Sequence, residues 1–330
     1  MTGLDPVHRD FFAGGAGEER TLRANEDAWA RRRIIPRVLR GTGPRDLRTT
    51  LLGTDLSMPV LIAPTAFHSL AHPDGEVATA TAAAAAGTAM IVSMAATRPI
   101  EQIAATGATL WFQLYPQPDL TFQDALLERV TKAGVKALVV TVDSPVFSHG
   151  RRDLRTGFTD LPPGLACENM RDDTGVVRDI TMDDTLSWAH LDRLRAGTGL
   201  PVVLKGILHP ADALLAVEHG ADAVIVSNHG GRQLDGAIAT LDALPAVLAA
   251  AGGRIPVLID GGIRTGTDIL VALALGAKAV AVGRPVIWGL AGGGAHGVQE
   301  KLETLRAQLD HSLALAGAQR PADLSPDLIA

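Results

Sequence analysis

His229 and Arg232 stand three residues apart, and their types suit removal of a proton from a substrate that carries a carboxylate. Histidine exchanges a proton near neutral pH, and arginine holds a carboxylate through paired N–H groups. The apolar run Ala223–Val226 precedes them and predicts a buried strand, so both side chains are expected at its carboxyl end, where α/β enzymes build their sites. In the alternative interpretation, His229 only hydrogen-bonds within its loop and Arg232 pairs with Asp235.

Eight short apolar runs, most of them rich in β-branched residues, recur along the chain, and each predicts a strand. They cover residues 60–62, 90–92, 111–114, 137–141, 202–205, 223–226, 257–260 and 279–282. Amphipathic stretches separate most of them and predict helices, for example 76–86, 120–133, 210–218, 241–251 and 267–275. This alternation predicts an α/β fold of the (β/α)8 TIM barrel type. A doubly wound sheet would need a glycine-rich turn after its first strand, and Ala63-Pro64-Thr65-Ala66 is not one.

Two segments lie outside the predicted barrel. Residues 1–59 precede it and are expected to form an N-terminal helical segment. Residues 145–186 follow strand 4 without clear periodicity and are expected to form a lid loop that is partly mobile. A chain of 330 residues fits one domain, 1–330, built on a single large barrel.

Composition limits the possible partners. A net charge of -6 without long basic runs argues against nucleic acid. The single cysteine, Cys167, excludes an intrachain disulfide and a thiolate metal cluster, so no metal site is expected. The chain has neither a signal peptide nor an apolar run of ~18 residues, which predicts a cytoplasmic protein that binds a small molecule and no membrane.

Other predicted strand ends carry further polar motifs. Strand 4 runs into Thr141-Val142-Asp143-Ser144-Pro145, and Gly150-Arg151-Arg152 follows. Strand 3 ends in Phe112-Gln113-Leu114-Tyr115, and strand 5 ends in Lys205, a charge whose burial needs a partner. Glycine turns follow the last two strands at 260–266 and 283–285, and such turns admit a phosphate group to the backbone N–H groups.

Together these motifs resemble those of the FMN-dependent α-hydroxy acid oxidase and dehydrogenase family, which oxidises glycolate, lactate, mandelate and hydroxymandelate. The most specific is Ser-Asn-His-Gly-Gly-Arg-Gln-Leu-Asp at 227–235, and the resemblance covers nearly the whole chain. It implies an FMN enzyme of the (S)-2-hydroxy-acid oxidase type, which makes a 2-keto acid and passes electrons to O2 to give H2O2. It also implies a homotetramer.

The resemblance also implies the roles of individual residues. His229 would be the base, and Asp143 would stabilise its protonated form. Arg152 and Arg232 would hold the substrate carboxylate, and Tyr115 would contact the substrate through its hydroxyl group. A solvated basic turn is the alternative interpretation for Arg152.

Lys205 completes the implied catalytic set and would face the flavin, stabilising the reduced ring. The implied FMN-binding residues are Pro64, Thr65, Ala66, Ser93, Gln113, Thr141, Lys205, Ser227, Asp260, Gly261, Gly262, Arg264, Gly283 and Arg284.

Three positions depart from the family. Phe11 stands where the family's short-chain oxidases have tyrosine, and Ala95 stands where glycolate oxidases have tryptophan. Both residues are expected to line the substrate pocket and to make it larger and more apolar, which predicts a bulky or aromatic acid such as mandelate. His68 stands where the family has glutamine, and the sequence gives no physical account of that exchange.

Three other functions remain open from the sequence. One is a 2-hydroxy acid dehydrogenase that passes electrons to a quinone or a protein. The second is a non-redox FMN barrel isomerase of the isopentenyl diphosphate type, which shares the phosphate turns but does not need His229 with two arginines. The third is a catalytically silent flavin-binding pathway protein.

Overall fold

The computed structural model describes residues 4–148 and 150–330, and its centre is a closed barrel of eight parallel strands. Each strand pairs with the next in chain order, and the last pairs with the first, with Val280 opposite Val60. The predicted (β/α)8 TIM barrel is therefore confirmed, and the doubly wound alternative is wrong because an open sheet would leave two edges. The strands β1 to β8 are Val60–Ile62, Ala89–Ser93, Thr109–Leu114, Leu138–Thr141, Val202–Ile207, Ala223–Val226, Val257–Ile259 and Ala279–Val282.

Eleven α-helices lie within the described residues. The five helices predicted individually agree to within a residue with helices of the structure, namely Gly75–Ala85, Leu120–Lys132, Pro210–Glu218, Thr240–Ala251 and Gly266–Leu275. The last helix is kinked, because Gly293 and Gly294 have non-helical backbone angles. The helices α1 to α11 are Pro6–Ala13, Arg20–Arg31, Gly75–Ala85, Ile100–Ala104, Leu120–Lys132, Arg151–Thr156, Trp188–Gly197, Pro210–Glu218, Thr240–Ala251, Gly266–Leu275 and Arg284–Ala316.

The barrel interior is filled by one apolar layer, separate from the apolar layer between strands and helices. Successive side chains on a strand point to opposite faces, so alternate residues enter the barrel. Trp111 and Val139 are among the fully buried residues inside it, while their neighbours Phe112 and Leu138 pack outward against the helices. This inner layer closes the barrel below its mouth, so a ligand can enter only at the ends of the strands.

Two segments outside the barrel cover its mouth. Helices α1 and α2 and an antiparallel hairpin of Thr49–Leu51 with Thr54–Leu56 precede β1. The connection after β4 contains α6, a short 3-10 helix over Glu168–Met170 and α7. Helix α1 contacts α6, so these two segments cover the mouth together. A partly mobile lid over 145–186, and one domain over 1–330, remain predictions.

Within the described residues, no helix combines the length and the apolar character that a membrane crossing requires.

Candidate active site

The mouth of the barrel is lined by the residues that stand two positions beyond the inner apolar layer. Ile91 and Leu258 belong to that layer, and Ser93 and Asp260 follow them on the same face of their strands. The same spacing from the other strands brings Ala63, Gln113, Thr141, Lys205, Ser227 and Gly283 to the mouth. The strand register thus collects seven of the fourteen predicted FMN-binding residues in one ring.

Lys205 is the charged centre of this ring. Its side chain is buried, and its Nζ lies 3.0 Å from the hydroxyl of Ser227 and 3.5 Å from Oδ2 of Asp260. A buried ammonium group needs such partners because its removal from water is costly. The carboxylate of Asp260 compensates the charge, so the lysine can remain in the mouth of the barrel.

Other polar atoms in the ring have no partner among the described residues. They include the amide nitrogen of Gln113, the hydroxyl of Thr141 and Oδ1 of Asp260. The Gln113 carbonyl oxygen accepts a hydrogen bond from the backbone of Met94 at 3.2 Å, which fixes the amide and leaves its N–H2 group free. Because buried polar atoms are normally hydrogen-bonded, these atoms indicate a polar ligand in the mouth.

Three arginines crowd one side of the cavity. Arg284 donates to backbone carbonyls of Phe12, Gly14 and Gly230, at 2.8–3.0 Å. Burial, together with the neighbouring cations Arg232 and Arg264, lowers its pKa to about 9. Guanidinium groups that repel one another in a buried site are stabilised by an anion, so this side of the cavity favours a phosphate or a carboxylate.

The glycine turn after β7 differs from a simple phosphate loop. Gly261 and Gly262 both have positive φ angles, 91° and 81°. A Cβ atom at Gly262 would lie 2.5 Å from the backbone oxygen of Asn25 in α2, so that glycine is required by helix packing. Arg264 in the same turn donates to Glu26 of α2 at 2.6 Å. Helix α2 therefore supports the turn from outside.

His229 stands between two polar partners. Its Nδ1 lies 3.0 Å from Oδ1 of Asp143, and its Nε2 lies 3.4 Å from the hydroxyl of Tyr115. Burial raises the pKa of Tyr115, and Asp143 raises it further, so the phenol stays protonated. Burial alone would raise the pKa of Asp143, but His229 and Lys205 outweigh it and hold that pKa below its usual value. The arrangement pairs an ionised carboxylate with the Nδ1 nitrogen of the imidazole.

The turn that carries His229 is held by hydrogen bonds from a distant helix. His229 has a positive φ of 60°, a conformation that a non-glycine residue adopts only when its surroundings fix it. Its backbone N–H donates to the hydroxyl of Ser227 at 3.1 Å. Asn228 exchanges two amide hydrogen bonds with Asn25, both of 2.8 Å. These contacts hold the imidazole at the wall of the cavity.

Arg232 is half-buried beside His229 and does not pair with Asp235. Its Nη1 donates to the backbone oxygens of Phe11 at 2.6 Å and Gly14 at 3.0 Å, and its guanidinium lies 4.8 Å from the centre of the Phe11 ring. Asp235 instead accepts from the backbone at the start of α2. The alternative pairing of Arg232 with Asp235 is therefore wrong.

Arg152 lies apart from the other predicted site residues. Its guanidinium donates twice to the carboxylate of Glu19, at 2.7 and 2.8 Å, and it is absent from the cavity wall. The neighbouring Asp153 does line the cavity. The structure thus brings His229, Asp143, Tyr115, Arg232 and Lys205 together at the mouth and leaves Arg152 outside.

The cavity itself has a volume of about 1010 Å³, and aromatic rings form its outer side. Phe11 stacks on Phe67 at 5.5 Å between ring centres and tilts against Phe158 at 4.8 Å. Ala95 also lines the cavity, with no side chain beyond Cβ. Phe11 and Ala95, two of the three positions that depart from the pattern of the resembled family, thus face the same space.

Comparison with known proteins decides the family. The model of the FMN-dependent dehydrogenase family matches residues 2–330. The chain belongs to this family. An L-lactate oxidase of Nostoc sp. is 45% identical and a human 2-hydroxyacid oxidase 2 is 44% identical, each over 99% of this chain and 94% of the relative. A crystal structure of mandelate oxidase with (S)-2-phenylpropionate superposes with a TM-score of 0.92 at 41% identity, covering 97% of this chain and 92% of the other.

Membership of the FMN-dependent dehydrogenase family confirms the predicted cofactor, FMN, and the predicted class of FMN-dependent oxidoreductases. The residues of the site fit FMN in two ways. The unpartnered amide of Gln113 and hydroxyl of Thr141 can hydrogen-bond a polar ring, with Lys205 beside them. The phosphate would be held by the glycine turns after β7 and β8 with Arg264 and Arg284.

Several residues that shape the active site cannot be identified from the sequence. Asn25 fixes the turn of His229, and Glu19 holds Arg152, yet neither belongs to a motif. Ser144 lies 3.4 Å from Nδ1 of His229 and accepts a hydrogen bond from Gln233. The only usable signals were that Ser144 follows Asp143 directly and that Gln233 lies inside the most specific motif. The partners of Asn25 and Glu19 are more than a hundred residues away.

Proposed function

We propose that this chain oxidises a bulky or aromatic 2-hydroxy acid to the 2-keto acid, and that O2 then takes the electrons and gives H2O2. The observation that carries the proposal is His229, held by Asp143 on one nitrogen and open to the cavity on the other, next to the half-buried Arg232. A base and a cation in one cavity match a substrate with an acidic proton and a carboxylate. The family match supports this function over an isomerase or a silent flavoprotein.

His229 would take the proton from the substrate. Because Nδ1–H donates to Asp143, Nε2 is the nitrogen available as the base. The carboxylate of Asp143 would stabilise the imidazolium that forms, and its lowered pKa keeps it ionised. Tyr115, protonated and 3.4 Å from Nε2, would donate a hydrogen bond to the substrate. Bound FMN supplies the two-electron acceptor.

Arg232 would hold the substrate carboxylate. Burial lowers the pKa of its guanidinium, and its described hydrogen bonds go to neutral carbonyl groups, so an arriving carboxylate would compensate its charge. Arg152 would be the second cation of the site. To reach the carboxylate it would exchange its hydrogen bonds to Glu19 for hydrogen bonds to the substrate.

The outer side of the cavity supports a large apolar substituent on the substrate. The ring of Phe11 contacts those of Phe67 and Phe158 there, and Ala95 leaves space that a larger side chain would fill. Each buried methylene contributes about 0.8 kcal/mol, and edge or stacked contacts between aromatic rings add to that. Structures named for mandelate oxidase, one with (S)-mandelic acid, are among those this chain resembles.

Three finer proposals accompany the reaction. O2 is the proposed acceptor because the similar curated relatives are named oxidases, and a quinone or a protein is the alternative. A homotetramer in the cytoplasm is proposed, and exposed apolar side chains support self-association, among them Phe147 at 60% and Leu234 at 74%. Size-exclusion chromatography with light scattering tests the oligomer.

A panel of 2-hydroxy acids tests the reaction directly. The holoenzyme is mixed with each acid without oxygen and the flavin absorbance is followed, then air is admitted and peroxide is measured. We expect fast bleaching by mandelate and slower bleaching by glycolate, then peroxide equal to the flavin reduced. Similar kcat/KM values for the two acids would contradict the proposed substrate class. Bleaching without reoxidation in air would favour the quinone or protein acceptor.

A further inference from the structure

A buried polar cluster lies directly behind the turn that follows β1. It consists of Thr65, His68, Glu76, Thr79 and Thr97, and the last four are buried. Phe67 adopts a positive φ of 65°, which turns the chain so that Phe67 faces the cavity and His68 faces the protein interior. The predicted active-site residues do not include His68, yet its ring contacts Thr65 at the cavity wall.

Both ring nitrogens of His68 have a hydroxyl partner. Nδ1 lies 2.9 Å from Oγ1 of Thr79 in α3, and Nε2 lies 2.5 Å from Oγ1 of Thr65. The backbone N–H of His68 donates to Glu76 at 3.0 Å, and the same carboxylate accepts from Thr97. The histidine is thus fixed in orientation by its backbone and by both ring nitrogens.

The imidazole of His68 is neutral in this environment. Burial lowers its pKa, and the nearby carboxylate of Glu76 opposes that effect only in part. A neutral imidazole has one N–H donor and one bare acceptor nitrogen. Two arrangements are therefore open: either Nδ1 or Nε2 carries the hydrogen.

The hydroxyl of Thr79 decides between them. Among the described residues its only hydrogen-bond partner is Nδ1 of His68, whereas the exposed hydroxyl of Thr81 in the same helix donates to the oxygen of Val77. A buried O–H group without an acceptor costs free energy, so Thr79 donates to a bare Nδ1. The hydrogen of the imidazole then lies on Nε2 and is donated to Thr65.

This arrangement fixes what Thr65 offers to the cavity. Its oxygen already accepts a hydrogen bond from Nε2. Its methyl group lies beside Gly283, where an added Cβ atom would be only 3.3 Å away. The hydroxyl hydrogen of Thr65 is therefore directed away from His68, to the cavity that Thr65 lines. We infer that His68 is a positioning residue, which as its Nε2–H tautomer holds the Thr65 hydroxyl as a hydrogen-bond donor to FMN. The inference rests on FMN occupying this cavity and is independent of which hydroxy acid is oxidised.

The tautomer is tested by nitrogen NMR of the apoprotein labelled with ¹⁵N at histidine. The His68 signals are assigned by their loss in His68→Gln. We expect a protonated Nε2 and a bare Nδ1. Thr79→Val, which removes the donor to Nδ1, is expected to shift the signals toward the other tautomer, and Thr81→Val in the same helix is the matched control and should leave them unchanged. A protonated Nδ1 in the unsubstituted protein would overturn the inference.

Binding of FMN to the apoprotein gives the second test. We expect His68→Ala and Thr65→Val each to raise the Kd for FMN by about fivefold to tenfold, the loss of one hydrogen bond. The double variant should have a Kd for FMN no higher than that of the weaker-binding single variant, because both changes remove the same contact. His68→Gln should restore binding to within about twofold, since an amide both donates and accepts.

Unchanged Kd values for His68→Ala and Thr65→Val, or losses that add in the double variant, would overturn the inference. If His68→Ala fails to fold, the comparison of Thr79→Val with Thr81→Val replaces it, and equal Kd values for those two would count against the proposal. All of these measurements are made without substrate, so a wrong assignment of the hydroxy acid cannot produce or hide the result.

Discussion

The two sides of the cavity are built in different ways. The barrel wall consists of Ser93, Gln113, Thr141, Lys205, Ser227 and Asp260, which are at most 5% exposed and stand at equivalent positions on six strands. The outer wall consists of Phe11, Phe67, Phe158, Leu161 and Leu165, which come mainly from the N-terminal segment and the loop after β4. The barrel wall is polar and fixed by strand register, whereas the outer wall is apolar and held by contacts between loops and a helix.

This difference separates the chemistry from the choice of substrate. Polar groups on rigid strands keep the positions that cofactor binding and proton transfer require. Apolar side chains on connecting segments can vary in size without disturbing those strands. We therefore expect substitutions in the barrel wall and at His229 to change reaction rate, cofactor binding or stability, and substitutions in the outer wall to change the preferred acid.

The largest effect is expected from His229→Ala. Loss of a general base lowers the rate by about 10²-fold to 10⁴-fold. Anaerobic stopped-flow absorbance should show this loss in flavin bleaching, while the FMN content stays at the wild-type level, because the imidazole is directed to Asp143 and Tyr115. His219→Ala, which removes an imidazole from an ion pair with Asp192 outside the cavity, is the control. Bleaching near the wild-type rate would contradict the role of His229 as base.

A large effect on stability as well as on FMN binding is expected from Lys205→Met. The change leaves the carboxylate of Asp260 buried without its cation, and breaking a buried ion pair costs about 3–5 kcal/mol. Thermal unfolding and the Kd for FMN measure the two consequences. Combining it with Asp260→Asn should recover part of the stability, since no unpaired charge remains, but not the FMN affinity. Equal recovery of both would show that Lys205 acts only as a structural partner.

A smaller effect, on preference alone, is expected from Ala95→Trp in the space between the two walls. Filling that space should lower the ratio of kcat/KM for mandelate over glycolate by about 10-fold to 200-fold, the range for losing apolar contacts in a pocket. Ala95→Ser, which adds one oxygen atom, is the control and should leave the ratio nearly unchanged. A ratio unaffected by tryptophan would place the substrate's apolar part elsewhere in the cavity.

The barrel wall was predictable from sequence because it depends on local periodicity. Apolar runs predicted the strands, and the polar residues at the ends of six of them, such as Lys205, predicted the mouth of the barrel. Helix α11 was harder, because the glycines at 292–294 interrupt its pattern where the structure shows a kink. His68 stood out only as a departure from the family, and its pairing with Thr79 required the packing of α3 against the turn.

The contacts that hold the N-terminal segment over the barrel could not be predicted, because they join distant segments. Glu19 and Arg152 are 133 residues apart, and Asn25 and Asn228 are 203 apart, with nothing in either local sequence that specifies the partner. The stacking of Phe11 on Phe67 likewise depends on where α1 lies over the barrel. Such pairs follow from tertiary packing, which hydrophobic periodicity does not encode.

The smallest effect, and the one that distinguishes two roles for Arg152, is expected from Glu19→Gln. Glu19 holds Arg152 by two hydrogen bonds outside the cavity, so removal of its charge should free the guanidinium for the substrate carboxylate and lower KM a few-fold. Arg152→Leu should instead raise KM by about tenfold, the loss of one charge-assisted hydrogen bond. Arg151→Leu, whose side chain pairs with Glu18 at the exposed surface, is the matched control. If Glu19→Gln and Arg152→Leu lower only the melting temperature and leave KM unchanged, then Arg152 ties the loop to the N-terminal segment, and Arg232 is the cation that binds the substrate.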